Sequence, residues 1–284
     1  MDYVRKILFP VDFSTRSSNT AKQVKVWASR LSAEVIVMHA VDPANFSNDP
    51  ERNAIDFEEH TPFYIAEAKR LIEFFCEEHL SGVKLTTSVA AGSTLGIISD
   101  TAVSESVELI MIPRGHHGYA SRFLRDPIVS GVLDKCPMPV WTTEHDENLT
   151  DAAPRAILCP LDIDPDVFLD AENEGIIAFL KIIAASFDAT VTCLYVSGSS
   201  AERDSAVEAR AATMRDSLGT FAKFERAGGN VQDAIRRAMA EEKPDLVIMG
   251  RTRSGEAGLT PQRHILQIDH VSSCPVISVG PQMK

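Results

Sequence analysis

Ile7-Leu-Phe-Pro-Val-Asp12 and Ile157-Leu-Cys-Pro-Leu-Asp162 are one hexapeptide pattern written twice, 150 positions apart (7 to 157). Each is a short apolar run closed by an aspartate, the pattern of a buried strand ending in a turn. Two more landmarks repeat in the same order. Val107-Glu-Leu-Ile-Met-Ile-Pro113 is matched by Pro244-Asp-Leu-Val-Ile-Met-Gly250 at an offset of 137 (113 to 250). Cys136-Pro-Met-Pro-Val-Trp141 is matched by Cys274-Pro-Val-Ile-Ser-Val279 at an offset of 138 (136 to 274). Landmarks repeating in order at nearly constant spacing make a tandem duplication. The two domains are read as residues 1–146 and 153–284, joined by polar Glu144–Arg155, in which Asp151-Ala-Ala-Pro154 marks the break. Aligning Val41 with Ser197 leaves about 19 extra residues in the first copy, within the acidic stretch Asp42–His60. Such a stretch, with Phe46 and Phe57, reads either as a mobile flap or as a partner site.

Within the first copy the pattern alternates strand and helix. Lys6–Val11 is a strand with Ser14 as the next helix's N-cap, and Ala21, Val24, Ala28 and Leu31 recur at helical spacing. Val35–Val41 is continuously apolar, as in a strand buried on both faces of a parallel sheet. Ile65, Ala68, Leu71, Ile72 and Phe75 line a second helix; Val83–Val89 is a strand and Leu95–Ala102 a helix. Leu109–Ile112, a helix near Ile128–Lys135 and Met138–Thr143 complete the copy, and the second copy repeats the plan from Ala156 to Val279. The fold class that follows is α/β, two doubly wound parallel sheets in tandem. In such sheets ligands sit beyond the carboxyl ends of the strands. The residues of interest therefore follow the first strand (Asp12, Asp162) and the fourth (Pro113–Arg125, Gly250–His264).

Composition narrows the function classes. The 284 residues are 44% hydrophobic and 24% charged, ordinary for a globular protein. A net charge of −12 and a pI near 5.1 oppose broad binding to nucleic acid or anionic membranes. No apolar run approaches the roughly 18 residues a membrane span needs. The opening Met1-Asp-Tyr-Val-Arg lacks signal-peptide architecture, so a cytoplasmic protein is expected. Five cysteines (Cys76, Cys136, Cys159, Cys193, Cys274) never form C-x-x-C and read as small core residues. There is no P-loop, no nucleophile elbow and no dinucleotide fingerprint after the first strand, so no enzyme is expected.

In these segments the chain resembles a tandem universal stress protein. The resemblance rests on Ile7–Ser14, Met38-His-Ala-Val41, Glu108–Ile112 and Cys136–Val140, and in the second copy on Ile157–Asp162, Asp245–Thr252 and Cys274–Val279. It implies five-stranded sheets of order 3-2-1-4-5, related by a pseudo-twofold axis and paired through their fifth strands. It implies a stress-response role and, in one branch, a site for ATP or AMP. There an aspartate after the first strand accepts from the adenine amino group, and backbone at the end of the second strand reads the adenine edge. G-x2-G-x9-G-[S/T] after the fourth strand cradles the phosphates on close-approaching amides and a helix N-terminus.

Carried onto this chain, the first copy keeps Asp12 and Val41. Pro113 and His116 stand at the two glycines, and Asp126-Pro127 at Gly-Ser; Gly115 and Gly118 keep G-x2-G spacing without the terminal pair. Proline removes an amide donor, and a carboxylate near phosphate repels it by about 4 kcal/mol at 4 Å and an effective dielectric of 20. Arg114, Arg122 and Arg125 are the residues that could neutralise Asp126. Weak or absent ATP binding is expected here. The second copy keeps Asp162, Val196, Met249 and Gly250, and replaces the flexible amides with Arg251, Arg253, Arg263 and His264. Guanidinium groups bind phosphate with a different geometry, and this copy is the better nucleotide candidate. Mg²⁺ enters only if ATP binds, and no metal site is otherwise expected.

Bland readings stand beside these. Asp12 and Asp162 also suit a turn into the first helix without any ligand. His39 reads as a satisfied core residue, His116-His117 as a solvated loop, and the basic loops equally as salt-bridging surface. Two functions follow: a non-catalytic stress-response protein with residual adenine-nucleotide binding, or a protein-interaction module, its partner unknown, that no longer binds nucleotide.

Overall fold

The computed structural model describes residues 4–45, 50–113, 126–143, 153–161, 163, 170–196, 201–219, 222–229, 231–251 and 274–280. The first copy runs β1 (Lys6–Pro10), α1 (Thr15–Leu31), β2 (Glu34–Val41), α2 (Pro50–His79), β3 (Leu85–Ala91), α3 (Thr94–Ser104), β4 (Leu109–Met111), α4 (Pro127–Lys135) and β5 (Val140–Thr142). The second runs β6 (Ala156–Leu161), α5 (Asp170–Phe187), β7 (Thr190–Val196), α6 (Ala201–Leu218), β8 (Ala222–Ala227), α7 (Val231–Glu242), β9 (Leu246–Gly250) and β10 (Val276–Val279). Strands alternate with helices throughout, as the hydrophobic pattern predicts.

Strand register carries the duplication into three dimensions. Ile7 stands opposite Val35 on β2 and Leu109 on β4, and Ile157 stands opposite Val191 on β7 and Leu246 on β9. The offsets of 150, 156 and 137 read from the sequence are those of the paired residues. In the second copy the order β8-β7-β6-β9-β10 is 3-2-1-4-5, all parallel. In the first, β3-β2-β1-β4 has the same order.

The chain divides into two compact units, one built on Val4–Cys136 and the other on Pro137–His145 with Ala153–Lys284. The first copy's fifth strand therefore packs with the second copy. Within that unit β5 lies antiparallel to β10, with Thr142 opposite Val276 and Val140 opposite Ser278. Each unit has its own core. In one, Ile7, Leu8, Val35, Val37, Leu109 and Ile110 are buried under Trp27, Ile72 and Phe75; in the other, Leu158, Cys193, Val247 and Ile248 are buried with Phe179 and Leu180.

Two expectations are corrected. Leu71 does not face the core: Ala68, Ile72, Phe75 and Cys76 form the buried side of α2 and Leu71 is 49% exposed. The extra segment of the first copy is also not a flap through residues 50–60, which are helical and open α2. The insertion lengthens this helix, 30 residues against 18 in α6. Phe46 lies outside the described residues.

Candidate functional site

The turn after β1 is built by its own polar side chains. Asp12 Oδ1 accepts from the Ser14 amide at 3.0 Å, the Ser14 hydroxyl at 2.5 Å and the Ser17 hydroxyl at 2.7 Å, and Ser14 caps α1 by accepting from the Ser17 amide. This is the aspartate's turn-forming role, and it uses one carboxylate oxygen. Among the described residues Oδ2 has no donor, so the same side chain still offers an acceptor to an incoming amino group. Partial burial pushes the Asp12 pKa up, but the Ser14 and Ser17 donations, with its own amide, outweigh it and hold the carboxyl below its ordinary value.

Phe13 sits in the left-handed region (φ 60°), unusual for a bulky residue. Its ring stacks on His39 with centroids 4.4 Å apart, and His39 Nδ1 is 2.7 Å from the Val11 carbonyl, to which it donates. His39 is the satisfied residue the sequence suggested.

At the end of β2 the Val41 carbonyl accepts from the Gly92 amide at 3.0 Å, and Val41 itself is buried. Asp42 next to it is fixed: Oδ2 accepts from the Thr94 amide at 2.7 Å and hydroxyl at 2.8 Å, and Oδ1 from the Ala44 amide at 2.9 Å. It caps α3 from another strand, since Ser93 at that helix's N-cap makes no side-chain bond. Burial raises the Asp42 pKa, but the Thr94 and Ala44 donations outweigh it and hold the carboxyl below its ordinary value. Composition alone groups Asp42 with the acidic insertion, whereas its bonds make it part of the β2–α3 framework. Asp12 and Val41 thus stand at the carboxyl ends of adjacent parallel strands, where the fold places ligands.

The phosphate end is different. Asp126 is the N-cap of α4, and its Oδ1 accepts from the amides of Ile128 at 2.9 Å and Val129 at 3.1 Å, with Pro127 as the first helical residue. These are the amides a helix N-terminus would offer an anion. Sequence reasoning weighed the charge of Asp126 and missed its cap, although aspartate followed by proline at a helix start is the signal for one. Gly115, Gly118, His116, His117, Arg114, Arg122 and Arg125 lie outside the described residues.

In the second copy Met249 is buried in β9 and Gly250 ends that strand. A Cβ on Gly250 would come 2.7 Å from Ile176 Cδ1, so α5 packs closely on this position and a larger residue there would have to push aside the tip of that side chain. Arg251 is corrected as a phosphate ligand. It is 4% exposed, with Nη2 donating to the Met138 carbonyl at 2.7 Å and Nη1 to Ser278 Oγ at 3.4 Å. The guanidinium is engaged inside the fold. Val196 closes β7; Asp162, Arg253, Arg263 and His264 lie outside the described residues. Among the described residues no group of three or more His, Cys, Asp or Glu could hold a metal ion, and no helix is long and apolar enough to cross a membrane.

The sequence model of the universal stress protein family matches residues 4–143. Among solved structures, a universal stress protein from Archaeoglobus fulgidus aligns over 98% of this chain and 99% of its own, with a TM-score of 0.71 and 16% identity. A functionally unknown protein from Pseudomonas aeruginosa aligns over 98% and 93%, with a TM-score of 0.65 and 17% identity. The cytoplasmic domain of a prokaryotic cation chloride cotransporter aligns over 97% and 95%, with a TM-score of 0.57 and 10% identity. At such identities these likenesses are likenesses of fold. No curated protein matches the sequence.

Proposed function

This chain belongs to the universal stress protein family through residues 4–143, and from that premise we propose a non-catalytic, cytoplasmic stress-response protein whose adenine-nucleotide sites are degenerate. The observation that carries the reading is the Asp126 carboxylate bonded to the Ile128 and Val129 amides. It fills with a fixed negative charge the place where the family resemblance puts phosphate. The adenine end fits better, because Asp12 keeps Oδ2 as an acceptor beside Val41. The first copy therefore favours an uncharged purine head over its phosphorylated forms.

The second copy is the better candidate for residual ATP or AMP, through Asp162, Val196, Met249, Gly250, Arg253, Arg263 and His264. Arg251 drops out of that set because its head group is spent on Met138 and Ser278. Mg²⁺ would enter only with ATP. The two repeats, residues 1–146 and 153–284, are joined through their fifth strands, a reading supported by the Val140–Ser278 register. Nucleic acid is no partner of a chain with net charge −12. A second reading, an interaction module that binds no nucleotide, is favoured by the exposed Phe63 and Phe74 of α2.

A thermal-shift titration with adenosine, AMP and ATP, with and without Mg²⁺, separates these readings. A ligand at 100 times its Kd stabilises by about 2.7 kcal/mol. Degenerate sites give at most small shifts in wild type, adenosine matching AMP where Asp12 is the recognition residue, and any ATP shift lost in Asp162→Ala. Asp126→Gly, which frees the α4 amides at a cost of a few tenths of a kcal/mol, gains an AMP response. A large ATP shift in wild type, abolished by Asp12→Ala, would sink the reading. No response in any variant would leave the interaction module.

A further inference from the structure

Among the described residues five large apolar side chains are exposed, and three of them, Phe63, Leu71 and Phe74, lie on α2. The helix places them where burial is not expected. Ala68, Ile72, Phe75 and Cys76 are its buried side, and at 100° per residue Phe63 and Phe74 point almost directly away from it, 62% and 64% exposed. Eleven residues separate the two rings, three turns of helix, so they share one line. Between them on that line stand Glu67 and Arg70, bonded to each other at 3.1 Å.

We infer that this outer face of α2 pairs with the same face of a second copy of the chain, antiparallel and about a two-fold axis. His60, Phe63, Glu67, Arg70, Phe74 and Glu77 recur at alternating spacings of three and four, the spacing of a helix–helix seam. The order is also a chemical palindrome. Placing the axis between Ala68 and Lys69 sets Phe63 against Phe74 of the second copy, Glu67 against Arg70, and His60 against Glu77. A self-associating interface needs every residue to meet its complement when the patch is turned on itself, and this line meets that requirement. On one flank Leu71 lies beside Tyr64 of the second copy, and on the other Ala66 lies beside Glu73.

Its area is modest. Stable interfaces bury about 800 Å² per partner, more than two phenylalanines and a leucine supply, so the dimer forms reversibly with concentration. The inference goes beyond the nucleotide reading and does not depend on it.

Sedimentation velocity on the full chain, from micromolar to millimolar, tests it. Wild type passes from monomer to dimer. Glu67→Arg alone and Arg70→Glu alone each place like charges across the axis and raise the dimer Kd by about tenfold or more. The double exchange of the two residues restores the dimer to within about threefold, and Phe74→Asp abolishes it. Of the three positions, Arg70 and Phe74 are exposed and Glu67 is half-buried, and unchanged circular dichroism melts confirm that the variants fold. A wild type that stays monomeric over the whole range overturns the inference. So does a dimer indifferent to the single reversals, which forms through some other surface, and so does a double exchange that fails to restore association.

Discussion

Asp12 and Ser17 are bonded to each other twice: the Ser17 hydroxyl donates to Asp12 Oδ1 at 2.7 Å and accepts the Asp12 amide at 3.1 Å. Ser17 is 1% exposed, so the pair is largely shielded on the serine side. Ser17→Ala removes both bonds and costs about 1–2 kcal/mol.

The cost has a sign in pH. Asp12 titrates below its ordinary value in the folded protein, so its bonds contribute stability above the unfolded pKa, near 4, and lose it as pH falls through the lower folded value. The difference in melting temperature between wild type and Ser17→Ala is therefore largest at neutral pH and narrows in acid. An NMR titration of the Asp12 carboxyl should show its pKa moving up in the variant. A gap that stays constant down to pH 2 would mean the charged carboxylate is not what Ser17 supports.

Arg251 and Gly280 form a second tight pair. A Cβ on Gly280 would lie 2.8 Å from the Pro137 carbonyl oxygen and 2.9 Å from Arg251 Nε and Nη2. Gly280→Ala must displace backbone or the guanidinium and costs about 1–3 kcal/mol. Arg251→Met strands the Met138 carbonyl and costs about 1–3 kcal/mol, and Arg251→Lys recovers only part of it because an ammonium lacks the planar fork. Urea unfolding gives both numbers. Nucleotide affinity of the folded Arg251→Lys protein should equal wild type, and a selective loss of phosphate binding would restore Arg251 to the site.

The cysteines should be silent in the native state. Cys159 and Cys193 face each other across β6 and β7, neither exposed, and hydrogen bonding between them with burial drives the Cys159 thiol well above its ordinary pKa. Burial alone pushes Cys76 up to about 11. Thiolate is the reactive form, so a maleimide at pH 7 leaves these three unmodified in the folded chain while all five free cysteines react in urea. Mass spectrometry reads the adducts. Rapid native modification of Cys159 would show that the β6–β7 core opens.

The parts of this fold that rest on local pattern were legible before any coordinates. The repeated hexapeptides and the offsets of 150, 156 and 137 reappear as strand partners, because register is set by which apolar residues must face the core. Ser14 was readable as an N-cap because the cap lies three residues from its donor. Asp42 was not, because its partner Thr94 is 52 positions away, and acidic composition around it suggested a solvated insertion instead. Arg251 misled in the same way. A basic residue after a fourth strand suggests phosphate, and only packing reveals that a carbonyl 113 positions away accepts its hydrogen bond. Leu71 followed helical spacing yet faces outward, because a periodic apolar stripe does not say which of its members the neighbours cover.

The left-handed Phe13 has a consequence for what the candidate site depends on. Its conformation is disfavoured by about 1–2 kcal/mol for a residue with a side chain, a cost that the bonds of Asp12 with Ser14 and Ser17 help to offset. The ring of His39 shares that task, anchored in turn to the Val11 carbonyl across 28 positions of chain. The geometry of the turn is thereby coupled to the seating of β2 beside β1, and a substitution at His39 reaches Asp12 through Phe13.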